Sequence, residues 1–244
     1  MVSIEHPPVI KFIVRFNFKS VKDPLIDVIC DISNEINWDI IESPRLKLHS
    51  SKGPDPQFYF GPLKFLSKQE GNELIIYRDS IQFRYNKYSK FDEMLPQILS
   101  IFFHLAEKLG IESVSNISLE YVDKFSQLPQ NPNFRIKTYF KLYIKNPDDF
   151  QLDLYDFIIG LKLKTEEEKH KSIVRLRGLN PNNDENYLFH LESLYVIEEQ
   201  LNIDETEKIE RNINIAHDKL SSIFKSLLTQ KLKLLIGMDD GTIQ

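Results

Sequence analysis

Cysteine is almost missing from this chain of 244 residues. Cys30 stands alone, which excludes an intrachain disulfide and any cysteine-built zinc site and fits a reducing compartment. Glycine is scarce too, at eight residues, and no glycine-rich phosphate loop is present. No Gly-x-Ser-x-Gly elbow occurs to raise a serine nucleophile. Positive charge is not in excess: 31 Lys and Arg face 36 Asp and Glu, for a net charge of -5. A global pull toward nucleic acid or anionic membrane is therefore absent. No apolar run approaches the roughly 18 residues needed to cross a bilayer, and no charged-then-apolar leader opens the chain. The expectation is a soluble, cytoplasmic protein with no membrane partner. Alanine occurs twice, at Ala106 and Ala216, against abundant Ile, Lys and Asn. That reflects codon composition and bears on no function.

What is there is hydrophobic periodicity. Between Asp204 and Gly237, Ile209, Ile213, Ala216, Leu220, Ile223 and Leu227 recur in steps of four and three, widened by Phe224, Leu228 and Leu235. That pattern predicts one helix face laid on a core. Glu207, Lys208, Arg211, Asn212, Asp218, Lys219, Lys225 and Ser226 make up the polar face. Asp204 fits an N-cap, with Glu207 completing a capping box, and Gly237 fits a left-handed stop. The expectation is a single continuous rod covered by antiparallel strands.

Earlier elements follow from the same reasoning. Pro7-Pro8 is an extended lead-in, and Val9–Phe18 alternates as a half-buried strand. Pro24 opens a helix to about Trp38. Short strands are expected at 45–49, 58–67, 73–79 and 80–86, with turns at Gly53-Pro54 and Gly71-Asn72. Phe91–Leu109 carries Met94, Ile98, Phe102 and Leu105 at helical spacing, with Gly110 as its stop. Ser113–Phe125 reads as a strand, and strands are expected again over 134–144, 150–164, 172–179 and 187–198. Runs of strands broken by helices argue an α+β fold with mostly antiparallel sheets. The turn-rich stretch 128–133 divides the chain into an N-terminal lobe, 1–127, and a β-rich C-terminal lobe, 134–244, which one extended sheet would join into a continuous domain.

Nearly the whole chain resembles an uncharacterised, sporadically distributed prokaryotic family. The resemblance rests on the Pro7-Pro8-Val9 opening, the strand-helix-strand section Phe83–Phe125, and the final helix from Ala216-His217-Asp218 to Phe224. The family's Arg-Tyr-x-Asn stands here as Glu120-Tyr121-Val122-Asp123. The resemblance implies a fold and no activity.

Candidate site residues are few. His217 and Ser221 lie four apart on one helix face, as a dyad or as a helix-edge histidine bonded to a neighbouring strand. Glu120 is expected to face solvent, opposite Leu119 and Tyr121. If Glu120 or Asp123 is buried, Arg84, Arg175 and Arg177 are the available ion-pair partners. Arg84-Tyr85 belongs to a strand mixing cations with rings, either a base-stacking platform or a surface strand with aromatics inward. Asp148, Asp149, Asp153 and Asp156 read as a solvated face more than a cation site. The other histidines lack ligand spacing, so no metal and no cofactor are expected. Arg84, Tyr85, Glu120, Asp123, Arg175, Arg177 and His217 are thus binding candidates, and no residue is assigned to catalysis.

These features point to a non-enzymatic binding or assembly protein of a prokaryotic accessory or defence system. Long amphipathic elements and exposed apolar strands such as Phe157-Ile158-Ile159 motivate this, and self-association through the long helix or an edge strand is the expected mode. A nucleic-acid-binding or nucleic-acid-processing protein is the alternative, and a small-molecule module the third.

Overall fold

The computed structural model describes residues 9–19, 33, 36, 38–42, 46–49, 57–60, 62–67, 71–129, 138–142, 156–165, 167–179 and 186–238. Among them one large sheet dominates, ordered β2-β5-β6-β7-β1-β8-β11-β10-β9, with β12 also paired to β8. These strands are β1 (Val9–Phe18), β2 (Trp38–Glu42), β5 (Leu63–Ser67), β6 (Glu73–Ile76), β7 (Ser80–Tyr85), β8 (Ser113–Pro129), β9 (Asp156–Leu163), β10 (His170–Leu179), β11 (Asn186–Ile197) and β12 (Leu201–Asn202). Every pairing is antiparallel. A separate pair joins β3 (Leu46–His49) to β4 (Gln57–Phe60). The α+β class with a large antiparallel sheet is what the alternating strands and periodic helices require.

The sheet has two unlike faces because residue parity sets side-chain direction. Phe12, Val14 and Phe16 of β1, Leu119 and Tyr121 of β8, and Phe83 and Tyr85 of β7 are buried on one face. Helix α1 (Phe91–Leu109) covers part of it, and Phe16 stacks on Phe102 with centroids 3.8 Å apart. Helix α2 (Thr206–Leu227) packs over β11 and β8. Lys11, Ile13, Arg15, Glu120 and Val122 point the other way, where Arg15 is exposed and the rest are half-buried.

The sheet crosses the expected lobe boundary. Strand β8 pairs with β1 on one side and β11 on the other, so strands from both halves join directly. The described interior nonetheless forms two apolar clusters. One holds Phe12, Phe102, Tyr121, Tyr195, Ile209 and Leu220, and the other holds Phe125, Phe140, Val174, Leu191, Leu227 and Leu232. Their seam runs through β8, between Tyr121 and Phe125.

Several expectations are corrected. The C-terminal rod is two helices: α2 ends at Leu227, and α3 (Gln230–Leu235) starts after the extended residues Leu228 and Thr229. Leu228 bridges Phe140, while Lys141 and Thr229 donate backbone N–H groups to Leu227 (2.7 Å) and Tyr139 (3.0 Å). Hydrogen bonding to a neighbouring segment has replaced helix continuation there. Residues 138–142 make that bridge within a turn, where a regular strand was expected. The capping box is absent: Glu205 occupies the N-cap without a side-chain cap, and its carboxylate accepts from the Asn202 N–H at 2.8 Å. Asn212, assigned to the polar face, is buried and donates to Glu199 at 3.2 Å. The run 58–67 splits into β4 and β5 around Pro62. Most of the 24–38 segment lies outside the described residues. Ser33 and Ile36 are helical, and Trp38 already belongs to β2. Gly110 and Gly237 stop their helices at positive φ, 65° and 74°.

Candidate functional site

The candidate residues separate onto opposite faces of the sheet. Arg84, Glu120, Arg175 and Arg177 share the outer face, at positions whose strand neighbours alternate into the core. Arg84 is tied to Glu73 at 2.8 Å, and Arg175 lies 3.6 Å from Glu192. Arg177 is exposed, opposite half-buried His190. Glu120 sits between Ile13 and Leu194, half-buried on this face as its parity predicts. Burial raises its carboxyl pKa, Glu192 adds to the rise, and Arg15, Lys11 and Arg175 oppose it.

Further cations share this face although the sequence reading did not single them out. Lys11, Arg15, Lys124 and Lys162 occupy outer positions of β1, β8 and β9, and neither these four nor Arg177 has an ion-pair partner among the described residues. Lys171 is paired with Glu198. Period two along each strand would have found them, but only the strand order shows that they are neighbours. Half-buried Ile13, Val122, Ile173 and Leu194 lie between the charges. At the border, β9 pairs with β10 and, among the described residues, with no strand beyond it. Its Ile158 is 58% exposed.

Tyr85, Asp123 and His217 lie on the helix-covered face. Tyr85 is core, with its ring 6.1 Å from Phe12, so the base-stacking platform is replaced by aromatics inward and Arg84 outward. The His217–Ser221 dyad is not formed. His217 Nδ1 instead meets the Tyr121 hydroxyl at 2.8 Å, and its ring stacks on Phe91 with centroids 3.9 Å apart. Burial raises the Tyr121 pKa far above the phenol range and lowers that of His217. The hydrogen bond therefore joins a neutral phenol to a neutral imidazole. Tyr88 adds its ring at 5.5 Å from Tyr121, and burial raises its pKa as well.

Asp123 is the main correction. It is 2% exposed, yet none of the three arginines reaches it, because they project from the other face. Its parity matches Leu119 and Tyr121, so β8 carries it inward. Burial alone pushes its pKa up to about 8, leaving the acid mainly protonated at neutral pH. Among the described residues its Oδ1 has no hydrogen-bond partner, and neither do Ser193 Oγ and Ser172 Oγ. Asp148, Asp149 and Asp153 fall outside the described residues, as does Cys30. Among the described residues, no three His, Cys, Asp or Glu side chains group so as to hold a metal ion. Nor is any described helix long and apolar enough to cross a membrane.

No protein-family model matches the chain, and no curated protein matches it in sequence.

Proposed function

We propose that this chain is a non-enzymatic assembly protein whose partner is a second copy, docked on the outer face of the large sheet. The observation that carries the reading is the cation-rich outer face, set with Lys11, Arg15, Lys124, Lys162 and Arg177 on a chain of net charge -5. The rest of the surface must then be more acidic than the whole, which gives each copy both halves of a complementary contact. Half-buried aliphatics among the cations match the mixed apolar and charged make-up of protein interfaces. Such a contact is head-to-tail and propagates or closes into a ring. The position of β9 supports the same reading, since among the described residues no strand pairs with it beyond β10 at the border of this face. The apolar stripe of α2 is already covered by the sheet, so the helix-mediated mode is not retained.

Sedimentation velocity over a concentration series tests this. The wild type is expected to self-associate, less so as salt rises. Arg175→Glu/Arg177→Glu should stay monomeric with an unchanged circular dichroism spectrum. A wild type that is monomeric throughout, or association indifferent to the charge reversal, removes the proposal. The same cations favour nucleic acid as the second reading. However, the outer positions of β1, β8, β10 and β11 carry no Phe, Tyr or Trp on which bases would stack. Salt-sensitive oligonucleotide binding by a monomer, lost in the same variant, would establish it instead.

A further inference from the structure

Asp123, Ser193 and Ser172 are buried polar side chains on three adjacent strands, β8, β11 and β10, and each holds an atom without a hydrogen-bond partner. Their placement is ordered. Ser193 lies opposite Tyr121, one inward position along from Asp123, and Ser172 lies opposite Tyr195, one inward position along from Ser193. The three therefore form a diagonal across the covered face. That diagonal follows the seam between the apolar clusters, with Tyr121 and Tyr195 on one side and Val174, Leu191 and Phe125 on the other. Helix α2 crosses the seam between Leu220, which packs in the first cluster, and Ile223 and Phe224, which pack in the second.

Buried unpartnered polar atoms are uncommon and costly, and three on one line call for an explanation. The chemistry of the seam narrows what that occupant is. Asp123 brings a carboxyl with no cation near enough to offset its burial. The serines bring hydroxyls that donate or accept. Tyr121 and Phe125 flank Asp123 on the same face of β8, and Tyr88 stands beside Tyr121, so aromatic faces border the acid. A divalent metal needs several oxygen ligands, chiefly carboxylates. A single carboxylate beside rings suits one positive charge of the ammonium type.

We propose that this seam binds a small primary-ammonium ligand, with Asp123 as counter-ion and the Ser193 and Ser172 hydroxyls taking its further polar groups. Binding then ionises Asp123. Tyr88 and Tyr121 are titratable groups that feel its charge, and burial keeps both neutral at pH 7. The proton released on binding accordingly comes from Asp123.

Calorimetric titration with ethanolamine and with spermidine, in two buffers of different ionisation enthalpy, tests the site on the full chain. Potassium and tetramethylammonium serve as comparison cations. Expected are saturable binding of a primary amine, release of about one proton at neutral pH, and a rise in Tm. Asp123→Asn should weaken binding about tenfold or more while leaving Tm equal or higher, because it removes a poorly solvated acid. Ser193→Ala should weaken it a few-fold. Arg175→Glu/Arg177→Glu should bind as the wild type does, which separates this site from the assembly face. No response to either amine at millimolar concentration overturns the proposal. So does Asp123→Asn binding as the wild type does, or potassium matching the amines.

Discussion

The Tyr121 hydroxyl and Nδ1 of His217 are hydrogen-bonded at 2.8 Å, linking the centre of β8 to the middle of α2. The contact is local, polar and enclosed by rings: Phe91 lies flat on the imidazole and Phe12 sits 4.8 Å from the Tyr121 ring. Tyr121→Phe keeps the ring packing and leaves the imidazole nitrogen without its partner. A loss of about 1–2 kcal/mol in urea unfolding is expected. In the double variant Tyr121→Phe/His217→Phe, the cost should fall short of the sum of the two single ones, because the second change removes the orphaned ring nitrogen.

Asp123 ties stability to pH with a definite sign. Its folded pKa is raised to about 8 by burial from the ordinary 3.8, so the unfolded chain gives up the proton first as pH rises. The contribution is fully present below pH 3.8 and declines through the window up to about pH 8. Within that window the loss approaches about 1.4 kcal/mol per pH unit. Asp123→Asn carries no such titration. The difference in unfolding free energy between Asp123→Asn and wild type, measured at pH 5 and pH 8, should grow in favour of the variant. An equal difference at both pH values would show that Asp123 is not a buried neutral acid.

Thr229 starts α3 at the point where the long amphipathic pattern breaks. Its Oγ1 accepts from the Leu232 N–H at 3.3 Å and donates to the Thr138 carbonyl at 2.7 Å. Thr229→Ala removes both and should cost about 1–2 kcal/mol. Serine should restore most of it, which a thermal melt of the three proteins will read.

Gly110 closes α1 at φ 65°, and its N–H bonds to the Glu107 carbonyl at 3.2 Å. A methyl group there would meet nothing within 4 Å, so sterics with neighbours play no part. Gly110→Ala should therefore cost about 1 kcal/mol from backbone conformation alone. Asn, which tolerates the left-handed region, should cost less. Chemical denaturation of both variants measures the difference.

Much of the fold was legible where a local rule applies. Alternation in Val9–Phe18 set which side chains of β1 enter the core, and Gly110 and Gly237 marked two helix ends. The same alternation puts Asp123 on the side of Tyr121, so its inward direction was available in the sequence. What the sequence did not carry was how far along β8 the core extends. That depends on β11, α2 and the second apolar cluster, which come from distant segments. The cations of the outer face were likewise visible one strand at a time and were not seen as one surface.

By itself the sequence determined secondary structure and face: periods of two and of 3.6 are properties of the backbone, so a short window suffices to read them. Strand order was decided in three dimensions. Strand β8 lies between β1 and β11, and that neighbourhood gathers the cations on one side and aligns Asp123, Ser193 and Ser172 on the other. The break at Leu228 was decided there too, since its cause is hydrogen bonding to residues 139–141, nearly ninety positions away. Hydrogen bonds between remote segments depend on which segments meet, and no local window contains that information.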